Sequence, residues 1–455
     1  MNILLLCNYD PYNAAMVSDH INAFYNFSKH NIFVYTQLVR NGGNLDGELE
    51  LGQFDAVIVH YSIFLSVDAY ASQKTRYQLK KYKGIKAVFI QDEYRSIQRT
   101  IDSLNQIEAD ILFTCVPEKH IEDVYPTSLL PKLKKIQVLT GYINEDLLIY
   151  PPRRLSKRKF DISYRGRKYP AWHGRLGREK WIIGERFNEE AKKLGLRTNI
   201  SSDENDRLYG SQWIELIRNS KAVLGVESGA SIFDFTGEVS ARVETYSSLI
   251  KKAPKKNEEH HYEQLKKKFF EDIEDIYDLS QISPRVLEAI TLRTACVLYK
   301  GDYSGLLIPW RHYIPLEKDH SNMGQVIAYL KDDERLAEII ANAYAEVALN
   351  PNNSYKSFIK NFDEIIEDNF LQIEEIFDRN YLESKANKGF TEVSAALHMH
   401  RTSEPDPKEF NKKYPFFYVK NPHAFLISKR YSLIRILWSK LPYKIKMRLK
   451  KVVFK

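Results

Sequence analysis

The sequence predicts an α/β protein of two Rossmann-like domains facing a cleft, with C-terminal helices and a basic amphipathic tail. Three observations predict it. Short, wholly apolar runs alternate with helical stretches from the first residues onward. A proline-containing, positively charged segment interrupts them near residue 150, and the same alternation then restarts. Runs without period-two alternation suit strands buried on both faces, and strand–helix–strand succession implies a parallel sheet.

In the first half the candidate strands are Ile3–Cys7, Ile32–Tyr35, Ala56–Val59, Ala87–Ile90, Ile111–Phe113 and Ile136–Leu139. Helical stretches fall between them, notably Met16–Ser28 and Ala69–Tyr82. Tyr150-Pro151-Pro152-Arg153-Arg154 and Lys157-Arg158-Lys159 combine proline restriction with like charge and mark the domain boundary. The second half opens with the strand Phe160–Tyr164 and a helix from Arg178 to Leu194, closed by Gly195. Strands follow at Thr198–Ser201, Ala222–Val226 and Ala295–Tyr299, and helices at Trp213–Ser220, Pro284–Thr291 and Met323–Leu330. Residues 240–275 form a charged helical insertion. The expected units are residues 1–148, 159–350, a helical crossover region 351–425 and a tail 426–455.

The chain has 455 residues and a formal net charge of +8. Leu426–Lys455 holds ten Lys or Arg and no Asp or Glu, which leaves about −2 for the other 425 residues. Basicity is a property of the tail, so no broad nucleic-acid-coating surface is expected. Three cysteines, Cys7, Cys115 and Cys296, form no CxxC pair, which fits a reducing compartment without a disulfide framework. The N-terminal apolar run lacks a positive flank and is too short for a secretory core. No run approaches the ~18 apolar residues of a spanning helix. A cytoplasmic protein at the inner face of a membrane is the expectation. The stretch Ser432–Leu441 is amphipathic, and Tyr443–Lys455 interleaves Lys and Arg with Ile445, Met447, Leu449, Val452 and Phe454. That composition suits an anionic membrane surface, with packing on the body or RNA binding as the alternatives.

In open parallel sheets ligands sit beyond the carboxyl ends of the strands. The loop after the first strand of the second half carries Arg165 and Arg167 around Gly166, guanidinium forks suited to a diphosphate or simply a solvated basic loop. Glu227 and Ser228 lie in the Gly- and Ser-rich loop Gly225–Ser231, which lets a ligand approach backbone or makes an ordinary turn. In Ser283-Pro284-Arg285-Val286-Leu287-Glu288-Ala289-Ile290 an N-cap serine and N1 proline fix a helix start. Free amides and the positive dipole end there invite an anion. Arg285 and Glu288 then face one cleft or pair with each other at i,i+3. Tyr303 and His312 follow the next strand. In the first half Asp92, Glu93 and His60 stand at strand ends, where a general base for a hydroxyl would sit; capping or surface roles are the alternatives. Asp92 and Glu93 are adjacent, so on an extended segment they point apart. Asn8–Asn13 lacks the GxGxxG of a dinucleotide site. His260 and His261 read as part of a solvated helix rather than as metal ligands, and no DxD motif of the metal-dependent kind is found.

The stretch around Arg285 and Glu288 resembles the nucleotide-binding helix of GT-B glycosyltransferases, with wording similar to exostosin-type members. The resemblance in organisation covers about residues 1–350, whereas the motif itself spans Ser283–Leu298. It implies a glycosyltransferase moving a sugar from a nucleotide-sugar donor, UDP- or GDP-linked, to a glycan or lipid-linked saccharide. No cofactor and no bound metal are implied, and no nucleic-acid partner. Arg165, Arg167, Glu227, Ser228, Ser283, Arg285, Glu288 and Tyr303 would bind the donor, with Glu288 on the ribose. The first domain would hold the acceptor, with Asp92 ranked first, Glu93 next and His60 third as catalytic group. The Glu-x7-Glu pattern of many retaining members is not met, since Ser280 stands eight residues before Glu288, and the stereochemical outcome stays open. A nucleotide-sugar epimerase on the same fold and a non-catalytic membrane-surface binding protein are the alternatives.

Overall fold

The computed structural model describes residues 1–9, 15–47, 49–249, 258–385 and 417–419. The first domain runs through β1 (Asn2–Leu6), α1 (Ala15–Phe27), β2 (Asn31–Tyr35), β3 (Ala56–Val59), α2 (Gln73–Lys81) and β4 (Ile85–Ile90). It continues with α3 (Ile97–Ile107), β5 (Ile111–Thr114), α4 (Ile121–Val124) and β6 (Lys134–Gln137). The second begins with β7 (Phe160–Arg165), α5 (Gly174–Lys193), β8 (Thr198–Ser201), α6 (Ser211–Arg218) and β9 (Ser220–Gly225). The insertion forms α7 (Glu238–Leu249) and α8 (Glu258–Phe269). Then come α9 (Pro284–Thr291), β10 (Ala295–Tyr299), β11 (Ile314–Leu316), α10 (Met323–Lys331) and α11 (Asp333–Ala343). A long helix α12 (Tyr355–Lys385) and a short strand β12 (Phe417–Val419) follow.

The first sheet has the order β12-β2-β1-β3-β4-β5-β6, the second β11-β10-β9-β7-β8. All pairings are parallel except β12 with β2. Counted from its own first strand, each domain has the same core order, 2-1-3-4-5. The strand order therefore reverses between β1 and β3 in one domain and between β7 and β9 in the other, the crevice-forming points of doubly wound sheets. The apolar runs have a direct cause. Along β1, Ile3 and Leu5 enter one core cluster while Leu4 and Leu6 enter the other, so both faces are covered by helices.

The chain crosses back after the second domain. Phe358, Ile359, Phe362 and Ile366 of α12 join the first-domain core against Phe24 of α1, the rings of Phe24 and Phe362 standing 4.9 Å apart. Asp363 fastens this contact, accepting from Ser28 Oγ at 2.7 Å and Lys29 N at 2.8 Å. The linker is more ordered than its charge suggests. The buried Arg158 guanidinium donates to Ser220 O at 2.8 Å, Thr294 Oγ1 at 3.0 Å and Arg293 O at 2.7 Å.

α2 starts four residues later than Ala69, and α6 and β9 each start two residues earlier than expected. Three further differences have a clear physical reason. β6 lies two residues earlier than Ile136–Leu139, on a half-exposed sheet edge where apolarity is a poor guide. β11 contains Pro315 and reads as a loop; it is an edge strand, where a missing N–H is tolerated. α5 begins at Gly174, before Arg178. Among the described residues no helix is long and apolar enough to cross a membrane. The three cysteines are buried and free. The basic tail 426–455 lies outside the described residues.

Candidate active site

A cleft of about 520 Å³ lies between the carboxyl ends of the two sheets. Its second-domain wall is cationic. Arg167 follows β7, Lys180 projects from the second turn of α5, Arg207 follows β8, and Arg285 sits in the first turn of α9. Two helix starts open on this wall, α6 at Gly210 and α9 at Ser283. Unpaired amides at helix starts carry partial positive charge, so cations and amides converge on one side.

Local packing fixes these groups. Tyr164 OH donates to Lys180 O at 2.7 Å, tying α5 to β7. A Cβ at Gly166 would lie 2.6 Å from Ser202 Oγ and 2.7 Å from Lys180 O, so only glycine lets the loop run this close. Lys180 Nζ donates to Gly229 O at 3.3 Å and stands 4.6 Å from the centre of the Tyr169 ring, which Arg167 also approaches at 5.4 Å. Burial, with Arg285 and Arg167 nearby, lowers the Lys180 pKa to about 8, against the pull of Asp92. Trp213 of α6 stands between Arg285 and Glu288. Its Nε1 donates to Glu288 Oε2 at 2.7 Å, and its ring lies 5.3 Å below the Arg285 guanidinium. Arg285 also donates to Arg165 O at 2.7 Å. Burial raises the Glu288 carboxyl to about 7, while Trp213 and Arg285 favour the ionised form. Ser283 lines the cleft as N-cap residue, but its side chain makes no cap hydrogen bond.

The first-domain wall offers Gln91, Asp92 and Tyr94 after β4, Cys115 and Val116 after β5, Thr140, and the start of α1. Asp92 is open to the cleft's solvent, yet protein crowds it enough that lost hydration raises its carboxyl above the usual range. Tyr94 OH donates to it at 3.2 Å, and Lys180 draws its pKa back down across the cleft. A carboxylate on one wall thus faces a cationic wall on the other.

Of the residues singled out from the sequence, Asp92, Arg167, Ser228, Ser283, Arg285 and Glu288 come together around this cleft. The others are held elsewhere. Glu93 reaches the cleft's edge, but its carboxylate accepts from Thr114 Oγ1 at 2.5 Å, Cys115 N at 2.8 Å and Tyr125 OH at 3.0 Å, tying β4 to β5. His60 is buried 3.0 Å from His20, with burial pushing its pKa well down. The Arg165 side chain turns back to Asn199 O, Asn199 Oδ1 and Asp206 O, each within 2.9 Å. Glu227 accepts from Asp302 N and Tyr303 N at 3.1 and 2.8 Å, pinning the loop after β10. Tyr303 is fully buried in the core with Tyr313. His312 is likewise buried and bonds Glu346 at 2.8 Å. His260 meets Gln264 on α8, and no group of three potential metal ligands occurs among the described residues.

Lys180, Tyr169, Arg207, Tyr209 and Trp213 line the cleft without having been singled out. Lys180 already lies within the expected helix Arg178–Leu194, and a lysine near the start of the helix after β7 is the signal that could have found it. Trp213 carried a weaker signal, an aromatic at the start of a helix after β8.

No protein-family model matches the chain, and no curated protein matches it. Solved structures show a similar chain path at low identity. An α-glucosyltransferase in complex with UDP is 12% identical over 81% of this chain and 100% of its own, with a TM-score of 0.47. The T4 phage BGT with its UDP-glucose substrate is 12% identical over 80% and 99%, with a TM-score of 0.46. HepE of Anabaena in complex with UDP is 13% identical over 81% and 100%, with a TM-score of 0.45.

Proposed function

We propose that this chain is a glycosyltransferase that uses a nucleotide-sugar donor. The observation that carries the reading is the cleft's charge arrangement: Lys180, Arg167 and Arg285 around the start of α9, with Glu288 beside them and Asp92 opposite. A donor diphosphate meets the cations and helix amides, and these stabilise the negative charge that grows on the leaving diphosphate as the sugar departs. Glu288 accepts from ribose hydroxyls with the lone pairs that Trp213 leaves open. An acceptor hydroxyl beside Asp92 attacks the anomeric carbon, and its proton passes to that carboxylate. The charge balance at the diphosphate comes from side chains and backbone amides, a metal-independent arrangement. The acceptor is a glycan or a lipid-linked saccharide.

One assay separates this reading from its rivals. UDP- and GDP-sugars are incubated with the chain, and nucleotide products are resolved. A transferase releases nucleoside diphosphate, slowly with water as acceptor, and Asp92→Asn and Glu288→Ala lower that release. A changed sugar still joined to its nucleotide would establish an epimerase, and no turnover at all would favour a binding protein.

The basic tail places the enzyme at an anionic membrane surface, each Lys or Arg there contributing ~1 kcal/mol. The full chain is expected to sediment with phosphatidylserine vesicles and the chain ending at Lys420 is not; equal sedimentation of both would refute this role.

A further inference from the structure

The second domain reaches across to the first at a place the reaction scheme leaves unused. After β9 the chain leaves Gly229 and runs through Ser231-Ile232-Phe233-Asp234-Phe235-Thr236-Gly237 to α7. Its root belongs to the second domain: Ser231 N donates to His173 O at 3.0 Å, and Asp275 N donates to Ser231 O at 2.7 Å. Its middle belongs to the first. Asp234 N donates to Tyr94 O at 2.8 Å, Ser96 N to Asp234 O at 2.8 Å and Gln98 N to Phe235 O at 3.0 Å, a short parallel ladder between domains. Phe233 and Phe235 pack on the first-domain core. The buried Asp234 carboxylate accepts from Gly237 N at 3.0 Å and Ser240 N at 2.8 Å, which turns the segment into α7. From α7, Glu244 accepts from Trp172 Nε1 at 2.9 Å and pairs with Arg95 at 3.4 Å.

The partner of this ladder is the loop that carries Asp92. Gln91 is fixed by donating to Thr140 O at 2.8 Å, and Glu93 by its three acceptor bonds. Tyr94, Arg95 and Ser96 are tied to the second domain by the ladder, by Glu244 and by Trp172 and His173, whose rings lie 6.3 and 5.4 Å from the Tyr94 ring, with the Arg95 guanidinium 4.7 Å over Trp172. We propose that Ser231–Gly237 is an interdomain clasp that holds the Gln91–Ser96 loop against the donor wall, so that Asp234 and Gly237 are positioning residues for Asp92. The proposal rests on the reading of Asp92 as the acceptor-side group. Gly237 is required because its φ is +87° and a Cβ there would lie 2.3 Å from Ser96 Oγ.

The test uses the full chain and two readouts: calorimetric binding of UDP and GDP, and release of diphosphate from UDP- and GDP-glucose. Gly237→Ala is expected to lower turnover about tenfold to a hundredfold, the effect of a small misplacement of a reacting group. Diphosphate affinity stays within about twofold, because Lys180, Arg285 and Glu288 stand on separate elements. Adding Ser96→Gly to Gly237→Ala removes the struck hydroxyl and recovers part of the turnover. Should Gly237→Ala fail to fold, Glu244→Ala, which frees Arg95 and Trp172 from an exposed side chain, gives a smaller loss in the same direction. Unchanged turnover in these variants, or affinity falling in step with turnover, overturns the clasp. Asp92→Asn separates the two claims: if it keeps full turnover, the role of Asp92 fails whatever the clasp variants do.

Discussion

Two cleft residues hold their ionisable groups near neutrality, in opposite senses. Burial raises the Glu288 carboxyl to about 7, so it loses its charge and an acceptor site as pH falls through that value. Burial lowers Lys180 to about 8, so it loses its positive charge as pH rises through that value. Diphosphate affinity is therefore expected to weaken on both sides of a maximum between about 7 and about 8. Titrations at a series of pH values check this. Lys180→Met removes the alkaline limb and Glu288→Gln the acid limb; a flat profile in the native chain would contradict both assignments. At this scale the sequence was legible in part. It marked the end of β4, implied that Asp92 and Glu93 point apart and put Asp92 first on position alone. The choice between the two is made by Thr114, Cys115 and Tyr125, which draw Glu93 inward from β5 and beyond. Arg165 and Glu227 are placed by the same kind of contact. Each has a suitable chemical type at a suitable strand end, and each is consumed by backbone groups distant in sequence.

At the scale of elements, what local pattern governs was readable. α9 occupies Pro284–Thr291, because Pro284 at N1 and the apolar spacing of Val286, Leu287 and Ile290 define it without outside help. β10 is a continuous buried run and coincides with Ala295–Tyr299. Elements defined by partners were not readable. β11 depends on β10 to accept Pro315 at a sheet edge, and the clasp depends on Tyr94 and Ser96, more than a hundred residues away. The opening turn of α5 contains Gly174 and Gly177, which dilute a helical pattern and set its apparent start at Arg178. A glycine at 177 is enforced by packing, since a Cβ there would lie 2.3 Å from His173 Cβ.

At the scale of the molecule, repeated winding explains where the site forms. Both domains reverse strand order at equivalent points, and their carboxyl ends face each other, so loops from two sheets meet in one cleft. The domains are joined on more than one side. α12 packs on α1, Thr140 Oγ1 donates to Ile282 O at 2.6 Å, and the clasp bridges the side near Tyr94. On the proposed reading, donor chemistry and acceptor chemistry fall to different domains, which these contacts hold in register. Under that same reading the cationic wall binds a nucleoside diphosphate. Calorimetric titration of the full chain with UDP and with GDP, alongside Lys180→Ala, Arg285→Ala and Glu288→Ala, tests it most directly. One of the two diphosphates is expected to bind, and each substitution to weaken it about tenfold or more, the worth of a charge-assisted hydrogen bond. Binding of neither diphosphate, or equal binding by all three variants, would contradict it.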